Sequence, residues 1–100
     1  MDIKLINRGT QGELLFIGKL DSQSAPEAQK IVETVIPRFN IIILNLSQLE
    51  YASSAGLRLI LKLQVDMQKK GGSLYIRGAN KTVMEVFELT GSASFLTFIK

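Results

Sequence analysis

Cysteine and histidine are both missing from this chain. Without cysteine there is no disulfide framework and no thiolate zinc site. Without histidine the commonest metal ligand and the commonest general acid–base group are gone, so most hydrolase constellations lose a required member. The nine acidic residues form no tight cluster, which leaves a carboxylate-only metal site unsupported. A long basic run is absent too. Lys69 and Lys70 adjoin, but no block of five or six cations exists and the aromatics are not interleaved with one, so direct nucleic-acid binding has little support. No stretch approaches the ~20 apolar residues that span a bilayer. The start, "MDIKLINRGTQG", has no apolar core of signal-peptide length. The chain reads as cytoplasmic, with no membrane partner.

What is present suits a single domain over residues 1–100. With 46% apolar residues, one core forms without staples. A chain of this size buries roughly 60 to 70% of the surface its unfolded form exposes.

The pattern along the chain changes period several times. "DIKLINR" puts Ile3, Leu5 and Asn7 on one face, "TQG" turns, and "ELLFIGKL" follows, which predicts a hairpin. Gly18 inside the second strand suggests a bulge or a close backbone approach. Ala25, Ala28, Val32, Val35 and Ile36 then recur at helical spacing, with Ser24 as the expected N-cap and Pro37 as the stop. "NIIILNLSQL" predicts a central strand buried on both faces. Residues 55–70 predict a second helix, closed by "KKGG" with Gly71 at its C-terminal end. "SLYIRG" predicts a strand, and "ANKTVMEVFELTG" a helix with Asn80 as N-cap and Gly91 as stop. Val83, Val86 and Phe87 face the core there, with Met84 at the flank. "SFLTFI" predicts a last strand. The order is ββαβαβαβ, an α/β domain with a mixed sheet.

The chemistry-bearing stretch is "YASSAGLRLI", residues 51–60. No nucleoside-triphosphate loop and no dinucleotide glycine pattern occurs, so no cofactor is expected. A nucleophile elbow needs glycine two residues before and two after its serine. Ser54 has Gly56 after it but Ala52 before it, and no histidine is available to take its proton. One serine of the pair is accounted for as a helix cap, worth about 1 kcal/mol. The other invites attachment of phosphate, since first-turn N–H groups lack acceptors and sit at the positive end of the helix dipole. Gly56, Leu59, Ile60, Leu63 and Met67 form one face of this helix. Leu57, Leu61 and Val65 form a separate stripe on its flank, with Ser54 at its edge and Arg58 beside it. That stripe is either covered by a neighbouring helix or a partner surface.

"LNLSQLEYASSAGLRLILKL" resembles the signature of the STAS domain, the bacterial anti-sigma factor antagonist family. "GKLDS" at 18–22 is similar to the family's early G-x-L-D segment, and "KKGG", "SLYIRGAN" and "VFELTG" fit as well, so the likeness runs nearly the full length. It implies a STAS-like fold and a binding protein, not an enzyme. In this family the unmodified domain binds an anti-sigma factor that is also a serine kinase, and a sigma factor is released. The kinase phosphorylates a serine at the start of the second helix, and a serine phosphatase reverses this. The pattern places the acceptor at Ser54, with Ser53 as its rival, where the family often carries aspartate. Asp21 corresponds to the early aspartate near the phosphorylation site. The alternative is a constitutive STAS scaffold or stress-signalling component with no phosphorylation switch.

Overall fold

The computed structural model describes residues 1–100. Strands β1 (Asp2–Arg8) and β2 (Gln11–Leu20) are followed by α1 (Ala25–Val35), β3 (Ile41–Ala52), α2 (Ser54–Lys69), β4 (Ser73–Arg77), α3 (Lys81–Leu89) and β5 (Phe98–Ile99). This is the order expected from the sequence. The strands form one sheet, β1-β2-β3-β4-β5; the first pair is antiparallel and the other three are parallel. No helix is long and apolar enough to cross a membrane.

The hairpin turns earlier than "TQG" suggests. Arg8 pairs with Gln11 across Gly9 and Thr10, and Gly9 has φ 79°. Glycine at the first central position suits a II′ turn. Gly18, at φ 107°, marks an irregularity in the β2–β3 register, as its place in the strand predicts.

Register sorts the side chains onto two faces. Leu14, Phe16, Ile42, Leu44, Leu74 and Ile76 share one face and are buried. Val32 of α1, Ile60 of α2 and Phe87 of α3 join them in a single core. The opposite face carries no helix. Ile41 and Ile43 lie there half-buried, so the apolar run of β3 is fully buried on one face and not on both. At the centre of the open face Glu13 is only 3% exposed. Its carboxylate accepts hydrogen bonds from Asn45 Nδ2 (2.9 Å) and Arg8 Nε (3.2 Å), and Arg77 Nη1 lies 3.9 Å away. The Asn45 bond, ahead of the two cations, holds the Glu13 carboxyl below the usual carboxylate range.

Other expectations are corrected at element ends. Ser24 makes no side-chain cap bond to α1. Its hydroxyl instead turns back into the preceding loop, donating to the Lys19 carbonyl and accepting from Asp21 N–H. "SFLTFI" is mostly not strand. Gly91 (φ 76°) leads into a 3-10 turn over Ser92–Phe95, which leaves β5 only two residues. The end of α2 follows expectation: Gly71 N–H binds the Gln68 carbonyl and Gly72 N–H binds the Met67 carbonyl, a Schellman closure with Gly71 at φ 79°.

Candidate functional site

Parallel pairing brings Leu20 of β2 level with Ala52 of β3. The chain therefore leaves both strands at the same end, with Asp21 following one and Ser53 the other. Ser53 N–H donates to the Leu20 carbonyl at 2.9 Å. A Cβ on Gly56 would lie 2.7 Å from that carbonyl oxygen and 2.7 Å from Leu20 Cγ. Glycine is what lets the first turn of α2 settle so closely on the end of β2. Asn80 ties the other side: its amide donates to the Leu49 carbonyl (3.0 Å) while its Oδ1 caps α3 by accepting from Val83 N–H (2.8 Å).

The two serines have different surroundings. Ser53 is the N-cap, with extended backbone (φ −86°, ψ −179°), and its hydroxyl accepts from Gly56 N–H at 3.4 Å. It is half-buried. Ser54 is the first residue of α2 and is exposed. It takes no part in the cap, so its hydroxyl points to no structural duty in the helix start.

Asp21 closes the loop into α1. Its Oδ1 accepts from Gln23 N–H and Ser24 N–H, both at 3.0 Å. These bonds, that from Ser24 first, lower its pKa. Asp21 thus holds the turn that precedes α1, and it also lines an open cleft of about 470 Å³ with Lys19 and Glu50.

The flank of α2 is graded, not continuous. Leu57 is 6% exposed and belongs to the core, Leu61 is half-buried, and Val65 is 45% exposed. Leu57 cannot offer a partner the area expected of it. Gly56 draws the first turn onto the sheet, and the residue beside it is buried with it. Arg58 is exposed, four residues after Ser54, and lines a shallow groove against Pro26 and Gln29 of α1. Tyr51, 44% exposed just before the serines, escaped the sequence reading. Only its place in "EYASS" pointed to it, since an aromatic at a strand end is ordinarily core.

The fold has known counterparts. The unphosphorylated form of the anti-sigma factor antagonist SpoIIAA superposes with TM-score 0.77 at 18% identity, covering 99% of this chain and 88% of that one. An anti-sigma factor antagonist from Mycobacterium paratuberculosis gives 0.88 at 16%, covering 97% and 83%. A sulfate transporter family protein from Wolinella succinogenes gives 0.78 at 13%, covering 93% and 80%. At such identities the likeness is one of fold. The STAS domain family model matches residues 6–100, and the chain belongs to that family.

Proposed function

We propose that this chain is an anti-sigma factor antagonist, a binding module switched by phosphorylation of Ser54. The observation that carries the reading is the division between the serines: Ser53 is spent on the helix cap, while Ser54 is exposed on the first turn. Unmodified, the chain sequesters an anti-sigma factor that is also a serine kinase, and so frees a sigma factor. That kinase transfers the terminal phosphoryl group of ATP to the Ser54 hydroxyl, which gives up its proton; a serine phosphatase hydrolyses the ester. The chain supplies the acceptor and the docking surface, and the catalytic groups belong to its partners.

The phosphate adds about −1.5 to −2 charge beside the start of α2, where the helix dipole tolerates it. The fold stays and the surface changes sign. Apolar area from Leu61 and Val65 meets the partner, and each such side chain, fully buried, is worth roughly 1.5–3 kcal/mol. A phosphate pressed into that contact and left unpaired costs several kcal/mol. Arg58 neutralises part of it, so binding is weakened and not abolished. Asp21, at the same end of the sheet, repels the incoming phosphate and orients the hydroxyl or nucleotide held by the kinase.

Phosphopeptide mapping after incubation with the cognate kinase and ATP tests the assignment. Phosphate on Ser54 is expected. Phosphate mainly on Ser53, or none, would sink it.

A further inference from the structure

The sheet ends in a free strand edge at β1. This strand pairs with β2 along an unbroken seven-residue register, Asp2↔Ile17 to Arg8↔Gln11, and has no neighbour on its other side. Natural edges are blunted by proline, bulges, short length or charged side chains, and of these β1 carries only the last, in Asp2, Lys4 and Arg8. Here residues 2–8 contain no proline, and the irregularities lie between β2 and β3. A two-residue turn makes its flanking pair, Arg8 and Gln11, exchange backbone bonds. Alternation along an antiparallel ladder then directs the N–H and C=O of Ile3, Leu5 and Asn7 outward.

We propose that this edge pairs with β1 of a second copy, antiparallel about a two-fold axis through Leu5. That register sets Leu5 against Leu5, Ile3 against Asn7 and Asp2 against Arg8. All three outward residues face outward residues, so the ladder closes with six backbone bonds. The end charges are complementary and occur twice, once at each end of the interface. Arg8 uses Nε on Glu13 and its side chain is 54% exposed, which leaves its terminal nitrogens for the opposing Asp2. Shifting the axis to Lys4 opposes two lysines, and shifting it to Ile6 opposes Lys4 and Arg8. Apolar surface flanks the edge on both faces. Ile6 is exposed on the open face; on the helix face Ile3, Ile31 and Met1 line one cleft. Only one strand edge per copy is covered, so the dimer is of the weak, concentration-dependent class. β1 lies two strands away from β3, whose end delivers the serines, and the proposal does not depend on their modification.

Light scattering over a concentration series tests it. The weight-average mass should climb from 11.1 kDa towards twice that value. Asp2→Lys, at an exposed position, should weaken association at least tenfold. Mixing Asp2→Lys with Arg8→Glu should restore it, because opposite charges then meet at both ends. The register has its own test that does not need Arg8→Glu to fold. Directly opposed residues sit about 5.5 Å apart at Cα, within disulfide reach. Oxidation of Leu5→Cys, the sole thiol in the chain, should therefore give a covalent dimer faster than Lys62→Cys does. A wild-type mass of 11.1 kDa at every concentration would overturn the proposal. So would unchanged association of Asp2→Lys, or equal cross-linking from both thiols.

Discussion

Gly56 and Ser53 show how single residues set the position of the site. At Gly56 two effects oppose. Alanine is the better helix former by about 0.8–1 kcal/mol, yet its Cβ would meet the Leu20 carbonyl at 2.7 Å. Backbone cannot move as a flexible side chain can, and overpacking costs about 1–3 kcal/mol, so Gly56→Ala should lower the thermal midpoint. A raised midpoint would show that the close approach is not real. Ser53→Ala should cost about 1 kcal/mol through the lost cap, whereas Ser54→Ala should change stability by less than about 0.5 kcal/mol. Equal losses in thermal unfolding would contradict the division of roles. Asp21→Asn keeps an acceptor oxygen for the Gln23 and Ser24 N–H groups, so it is a test of charge more than of fold. It should slow phosphorylation with little loss of the cleft geometry, measured as the initial rate with the kinase. An unchanged rate together with lower thermal stability would leave Asp21 as a loop residue alone.

At the scale of elements, α2 separates core from surface by position along one flank. Leu57→Ala should cost about 2–5 kcal/mol of stability, since it empties core space. Val65→Ala should leave the thermal midpoint nearly unchanged and weaken partner binding instead. Wild-type affinity in Val65→Ala would move the interface away from this flank of the helix. The helix wheel shows which residues share a flank, but not how wide an arc the sheet takes up, which is why Leu57 was not legible as core. The same limit applies to β3. An unbroken run such as Ile41–Leu44 has no alternation to read, so burial on one face and on both look alike. At α1 the expected Ser24 cap is absent because Asp21 and Ser24 bond within the loop before the helix, a turn that spacing alone did not reveal. The hairpin, the faces of α1 and α3, the Gly18 irregularity and the closures at Gly71 and Gly91 were legible, because each rests on local periodicity or backbone conformation.

The sheet adds a pH dependence. Glu13 brings β1, β2, β3 and β4 together through Arg8, Asn45 and Arg77. Its carboxyl titrates below the usual range when folded, led by the Asn45 hydrogen bond. Protonation therefore favours the unfolded chain. The stabilisation is fully present above the ordinary carboxylate pKa and is lost as pH falls through the lower folded value. Denaturant unfolding should show stability declining below about pH 4.3. Glu13→Gln should cost roughly 1.5–3 kcal/mol at neutral pH, as expected for hydrogen bonds to a charged group, and should flatten that decline. An unaltered acid slope in Glu13→Gln would place the titration elsewhere.

For the whole molecule, the proposed phosphorylation would alter a surface and leave the architecture in place. The start of α2 is pinned by the Leu20 carbonyl, by the Ser53 cap and by burial of Leu57, none of which involves the Ser54 hydroxyl. A phosphate there gains from the helix dipole by about 0.3–1 kcal/mol, so the modified domain should melt no lower than the unmodified one. The decisive measurement is calorimetric titration of the cognate anti-sigma factor into unmodified and Ser54-phosphorylated chain. Every 1.4 kcal/mol is tenfold in affinity, so a buried phosphate that Arg58 neutralises only in part should weaken binding at least tenfold, with Ser54→Asp falling between the two because it adds a single charge. Equal affinity of the phosphorylated and unmodified chains would contradict it.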